Sequence, residues 1–335
     1  MQEGIRMLAL ALALSTASDA VAANWLRPSP ADPRPIWGTV EGIRFAVSPG
    51  SVEGPLPDDG GPRGLIRIGY PAAGDQPIML NFVAIEPTAN GKREFSELQE
   101  SQVDHRPGKI LTVKDGNDPG DLSTGPDGVE TLTVRIDVER FTNGAHVFVL
   151  AAIHSDRPGE IDFTVHPFPD SAPMSQCVLT ATMGNKTRVR HVELGSGALD
   201  SIALFGGLQG NGFSDDNVTP ASRLARNKDG DVVVPFNSNE NDPGSVHPFP
   251  EDPFAWYYPG RNLTQYWRKP KESPQANLRL RVNGRAEYWG SQQAIPGGVA
   301  FENVELQDNF ADGERWVFGI SPASPREVID GPTHP

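Results

Sequence analysis

The sequence predicts an all-β protein, an antiparallel β-sandwich that is either jelly-roll-like or a larger double sandwich. Three observations carry this expectation. The 335 residues include 35 glycines and 32 prolines, about a fifth of the chain, and continuous helices tolerate neither well. The apolar segments are short and β-branched, and several alternate with polar residues at period two. No segment sustains a helical period, so packed antiparallel sheets are the economical solution.

Taken in order, Gly64 to Tyr70 and Ile78 to Ile85 read as strands rich in Leu, Ile and Val. Glu94 to Gln102 is the one segment that reads as helical. Leu132, Val134, Ile136 and Val138 point one way and Thr133, Arg135 and Asp137 the other, the signature of a half-buried strand. Ala145 to Ile153 is more uniformly apolar and predicts a central strand. Ile161 to Val165, Val178 to Thr182, Val189 to Leu194 and Val232 to Phe236 follow. Leu278, Leu280 and Val282 alternate with Arg279, Arg281 and Asn283, and Asn283-Gly284 predicts a turn that ends that strand. Val299 to Leu306 and Trp316 to Ile320 complete the set.

The first 22 residues read as a secretory leader, not as part of the fold. Arg6 precedes the apolar run Met7 to Leu14, and Ala20-Val21-Ala22 supplies the small-x-small cleavage pattern. That run is too short to span a bilayer, which takes roughly 20 residues. The expected location is therefore secreted or periplasmic, by bacterial-type export. The remaining β region, 23–335, contains a long Gly-, Asn-, Asp- and Pro-rich stretch at 206–259. That stretch either divides two sheet domains or runs as an excursion over one.

Composition excludes some partners. Hydrophobic residues make up 37% of the chain and charged residues 21%, enough apolar material for a core and too much for disorder. The net charge of −14 disfavours nucleic acid and anionic membranes, since both need a basic face. Cys177 is the single cysteine, so no intramolecular disulfide forms. Its run Cys177-Val178-Leu179 predicts a buried packing residue, not a nucleophile. No Gly-rich phosphate loop, cysteine cluster or Gly-x-Ser-x-Gly elbow is present. No cofactor is expected. Calcium as a loop staple is the one metal alternative, with Asp115, Asn117, Asp118 and Asp121, or Asn227, Asp229 and Asp231, as oxygen donors.

The densest aromatic and polar segment runs from Trp256-Tyr257-Tyr258 to Tyr266-Trp267-Arg268-Lys269. Pro259, Gly260 and Pro270 around it predict an exposed, shaped loop. Flat rings stack on the apolar faces of sugars while Arg and Lys address hydroxyls or carboxylates. Trp256, Tyr257, Tyr266, Trp267 and Arg268 are thus candidate binding residues for a polysaccharide or oligosaccharide substrate. Two chemistries suit such a groove. Glycoside hydrolysis needs two carboxyl groups, and carboxylates on otherwise apolar strands are the natural pair. Glu302, within Val299 to Leu306, is the first candidate and Glu86, at the end of Ile78 to Ile85, the second, with Glu305 beside them. Uronate elimination needs a cation for the carboxylate and a His or Tyr for proton transfer. His146 or His166, Tyr258 and Arg190 are its candidates, and a non-catalytic carbohydrate-binding surface protein is the third alternative.

Four blocks carry a wider likeness. They are Gly61-Pro62-Arg63-Gly64-Leu65-Ile66-Arg67, Thr180-Ala181-Thr182-Met183-Gly184-Asn185, Thr264-Gln265-Tyr266-Trp267-Arg268-Lys269-Pro270 and Ile295-Pro296-Gly297-Gly298-Val299-Ala300-Phe301-Glu302-Asn303. On these blocks the chain resembles a group of secreted bacterial proteins from polysaccharide-degrading lineages. The resemblance spans most of the chain after residue 22, and it implies export and a saccharide context but no assigned reaction or catalytic residue.

Overall fold

The computed structural model describes residues 23–31, 33, 35–47, 63–71, 77–114, 118–182, 188–237, 263–288 and 294–331, with 77–81 as backbone. The expected leader at 1–22 lies outside the described residues, as do Trp256, Tyr257 and Tyr258.

Two antiparallel sheets pack face to face, and the protein is an all-β sandwich. Among the described residues one sheet has ten strands. Its order is Trp25–Leu26, Ile36–Thr39, Arg44–Val47, Leu65–Pro71, Pro77–Ala89, Met174–Thr182, Ala300–Gln307, Arg279–Arg285 and Asn217–Pro220, and Lys92–Arg93 pairs beside Pro77–Ala89. The other has eleven. It runs Ala198–Asp200, His191–Glu193, Val232–Asn237, Thr264–Lys269, Arg315–Ser321, Glu160–Pro167, Val147–His154, Glu130–Val138 and Leu111–Val113, and it also includes Ala225–Arg226 and Asp121–Thr124. Strands from both sides of 206–259 pair with one another in each sheet, for example Met174–Thr182 with Ala300–Gln307 and Glu160–Pro167 with Arg315–Ser321.

Period two decides which side chains fill the interior. Val134, Ile136, Val149, Ile161, Phe163 and Phe318 from the eleven-stranded sheet meet Phe45, Ile66, Val83, Leu179, Val304 and Leu280 from the other in one apolar cluster. Burying each of these is worth about 1.5–3 kcal/mol, which is how a chain without disulfides holds two large sheets together. Cys177 belongs to this cluster, and burial pushes its thiol up to about 12. Trp267 crosses the layer: its Nε1 donates to the Val304 carbonyl of the opposite sheet at 2.8 Å. It therefore pins the strand Ala300–Gln307 from behind.

Three local expectations are corrected. Glu94 to Gln102 forms turns, not a helix. Ser96 is responsible, because its backbone N–H donates to the Ile85 carbonyl, while its hydroxyl accepts from the Ile85 N–H and donates to the Gly64 carbonyl. A serine that competes for backbone in this way disfavours helix. Thr264–Lys269 is an interior strand of the eleven-stranded sheet, not part of an exposed loop. The Arg279 strand continues to Arg285 instead of stopping at Asn283-Gly284. Gly284 permits this, since a Cβ there would meet the Phe205 ring at 2.8 Å.

Candidate functional site

The outer face of the ten-stranded sheet carries a cluster of buried glutamates. Glu86 lies on Pro77–Ala89, and Glu305 on Ala300–Gln307, with Met174–Thr182 between them. Val178 pairs with Glu86 and Arg281 pairs with Glu305, so both acids stand on the face away from the core. A tight hairpin supplies the cation that joins them. Asn90 and Gly91 have φ of 52° and 75°, the paired left-handed conformation of a two-residue turn, and Ala89 pairs with Lys92 across it. Arg93 then falls opposite Thr88 and reaches back over Glu86.

Arg93 Nη2 binds Glu86 Oε2, and the same nitrogen lies 2.9 and 3.1 Å from the two oxygens of Glu305. Two carboxylates on one nitrogen have their nearest oxygens within about 6 Å of each other. Glu305 also accepts from Arg281 Nη1 at 2.6 Å, from Gln307 Nε2 at 2.5 Å and from the Thr180 hydroxyl.

The two acids are driven in opposite directions. Burial, and then the negative charge of Glu305, push Glu86 up to about 8 despite Arg93. Burial opposes ionisation of Glu305 as well, but Arg93 and Arg281, with the Thr180 hydroxyl, overcome it and hold Glu305 below the ordinary range. Glu86 is thus the more basic partner of a pair that titrates as a unit. Such an arrangement offers a proton donor and an ionised carboxylate side by side.

Glu302 reaches the same face by a backbone irregularity. Asn283 pairs with Asn303 while Gly284 pairs with Phe301, so Glu302 is the extra residue of a β-bulge. Phe301 stays in the core, and Glu302 turns to the outside, where Thr182 Oγ1 stands 3.5 Å from its Oε1. Burial pushes Glu302 up to about 7, with Arg285 opposing the rise. Strand alternation alone would have placed Glu302 on the face opposite to Glu305, and the bulge brings it to the same one. The structure groups Glu86 with Glu305 as the bridged pair and sets Glu302 further along the face. Arg93 and Arg281 hold the cluster together, and sequence reasoning passed over both. The signal for Arg93 was Asn90-Gly91 directly after a strand.

The other sequence candidates separate. Arg190 is buried and donates to the Pro296, Gly298 and Val299 carbonyls, bracing the loop that precedes the Glu302 strand. His146 and His166 lie on the outer face of the eleven-stranded sheet, where their Nδ1 atoms stand 2.7 Å from Asp170 and Asp312. The strand that follows His146 lies five strand spacings, about 24 Å, and the strand of His166 four, about 19 Å, from the strand that follows Arg190, so neither histidine stands beside Arg190. Trp267 is 1% exposed in the core and lines no groove.

Tyr266 and Arg268 do line a cleft, of about 900 Å³, on the outer face of the eleven-stranded sheet and at its rim. Tyr266, Gly319 and Glu160 form one row across three strands. A Cβ on Gly319 would lie 2.0 Å from Tyr266 Cζ, so only glycine lets the ring lie across to donate its hydroxyl to Glu160 Oε1 at 3.0 Å. Burial, then Glu160, push that phenol well above its ordinary value, which keeps it a donor. Arg268 spans Glu160 and Asp231, with Nε 3.1 Å from Glu160 Oε1 and Nη1 2.9 Å from Asp231 Oδ2.

Asp115 and Asn117 lie outside the described residues, and Asp118 accepts from the Gly120 N–H in a turn. Asn227 accepts from the Asp229 and Asp231 N–H groups, and no group of three or more His, Cys, Asp or Glu among the described residues is arranged to hold a metal. Compared with protein-family models and with curated protein sequences, the chain matches none.

Proposed function

We propose that this chain is an exported carbohydrate-active enzyme that hydrolyses glycosidic bonds, with Glu86 as proton donor and Glu305 as its ionised partner. The observation that carries the reading is the single Arg93 nitrogen joining two carboxyl groups whose pKa values diverge. A glycosidase needs such a pair, one protonated and one charged. The closeness of the two groups fits the retaining geometry of about 5–5.5 Å better than the wider spacing that leaves room for a water. In the retaining route Glu305 forms the glycosyl bond as Glu86 gives its proton to the leaving oxygen. Water, deprotonated by Glu86, then releases the sugar. Glu302 stands on the same face to hydrogen-bond the substrate.

The cations on the pair are partly exposed, Arg93 21% and Arg281 15%, while Glu86 and Glu305 are 3% and 0% exposed. Turnover therefore requires Arg93 to turn outward as the sugar enters. The test is a product assay of the chain from Ala23 onward against neutral and acidic polysaccharides, with reducing ends and ultraviolet absorbance read in the same wells. Reducing ends without new absorbance, lost in Glu86→Gln, are expected. Absorbance from an unsaturated uronate, or silence in both channels across the panel, overturns the hydrolytic reading.

A further inference from the structure

We propose that the cleft on the eleven-stranded sheet is a second saccharide-binding site, one that takes a neutral oligosaccharide. It lies on the outer face opposite to the one bearing Glu86 and Glu305, so it is not a subsite of that pair. Its volume of about 900 Å³ is at the upper end of ligand pockets, large enough for several sugar units.

The lining chemistry selects the ligand. The chain as a whole carries −14, yet the cleft is lined by four basic and four acidic side chains. Neither an anionic nor a cationic ligand gains from such a balance. A sugar hydroxyl both donates and accepts, so it is served where fixed donors and acceptors alternate. Here they do alternate and they are fixed. Arg268 is held between Glu160 and Asp231, Tyr266 is aimed at Glu160, and Arg157 binds Glu160 at 3.0 Å. Preorganised partners cost a ligand little ordering on binding.

Two cations of the lining are partly exposed. Arg157 and Arg315 are 32% and 33% exposed, and Arg315 Nη2 binds Asp162 at 2.7 Å. Tyr70 adds an aromatic wall. It comes from the other sheet, is half-buried against the core, and lines the cleft. One aromatic face beside a row of paired charges is the composition that packs a pyranose ring and bonds its rim.

The inference shares with the proposed function only the premise that the chain meets saccharides, and the test separates the two. Calorimetric titration of the Glu86→Gln chain would use oligosaccharides from glucan, mannan and xylan, with oligogalacturonate as the acidic probe. The expected result is binding of a neutral probe that is unchanged between low and 0.5 M salt. Tyr70→Ala and Arg315→Gln should each weaken it tenfold or more. Arg315→Gln, at a partly exposed side chain, keeps the test valid where Tyr70→Ala fails to fold. Absence of binding by every neutral probe, affinity unaltered by both substitutions, or salt-sensitive preference for oligogalacturonate overturns the proposal. Product release that persists in wild type while cleft binding is absent sinks this inference alone. Cleft binding with no products from wild type sinks the hydrolase alone.

Discussion

Glu86 and Glu305, two strands apart in the ten-stranded sheet, bind the same Nη2 nitrogen of Arg93. Neither acid could be buried singly without large cost, because an ionised carboxylate in an apolar setting must be paired or neutralised. The pair solves this by sharing one proton and one cation, with Arg281 and Thr180 on the charged partner.

Stability should fall as pH rises through the neutral range. Glu86 has a folded pKa of about 8 against an ordinary 4.5, so the folded state holds a proton that the unfolded chain has lost between those values. Its contribution is complete below pH 4.5 and declines toward pH 8 at about 1.4 kcal/mol per unit. Glu302, raised to about 7, adds to the same decline over a narrower window. Chemical denaturation from pH 5 to 8 should show this slope, and Glu86→Gln should remove about one proton's share of it. A flat profile in the wild type would contradict the assignment.

Arg93→Ala should destabilise the fold by about 3–5 kcal/mol at pH 8, since it strands two buried acids without their shared cation. At pH 5 the loss should be smaller, because both acids can then take up protons. The comparison is read by urea unfolding at the two pH values. Equal losses at both would mean that the guanidinium contributes packing and not charge.

Gly319→Ala should cost about 1–3 kcal/mol by forcing Tyr266 off its row. The Tyr266–Glu160 hydrogen bond would be lost with it, so the phenol should titrate lower in an ultraviolet pH scan. A variant as stable as wild type, with the phenol unmoved, would show that the ring has room elsewhere.

Cys177 should resist alkylation in the native protein and react at once in denaturant. It is 6% exposed, and its thiol is pushed up to about 12 by burial and by Glu86. Native labelling at rates near those of a free thiol would place this strand outside the core.

Much of the fold was readable because burial in a sandwich follows period two. Leu132 to Val138 alternated in the sequence, and its apolar set is the buried one. The same rule, applied to Thr264–Lys269, would have placed Trp267 inside and Tyr266 and Arg268 outside. There the flanking prolines drew attention to a loop instead. The acids were legible as charges on apolar strands, and Glu86 and Glu302 do stand on one face. The Arg93 bridge between Glu86 and Glu305 was not, and neither was the position of Glu302, which comes from a bulge beside Gly284, a position where a Cβ would meet Phe205, far away in sequence. Arg93 was one turn away from being seen, since Asn90-Gly91 announces the hairpin that returns it to Glu86.

The most direct measurement is turnover of Glu86→Gln against wild type on the polysaccharide that yields reducing ends, with both proteins shown to unfold at similar denaturant concentration at pH 5. A proton donor contributes about 10²–10⁴-fold, so the variant should lose at least a hundredfold in kcat on a substrate with a poor leaving group. Turnover within tenfold of wild type, in a folded variant, would contradict the account and leave the Glu86–Arg93–Glu305 network as scaffold.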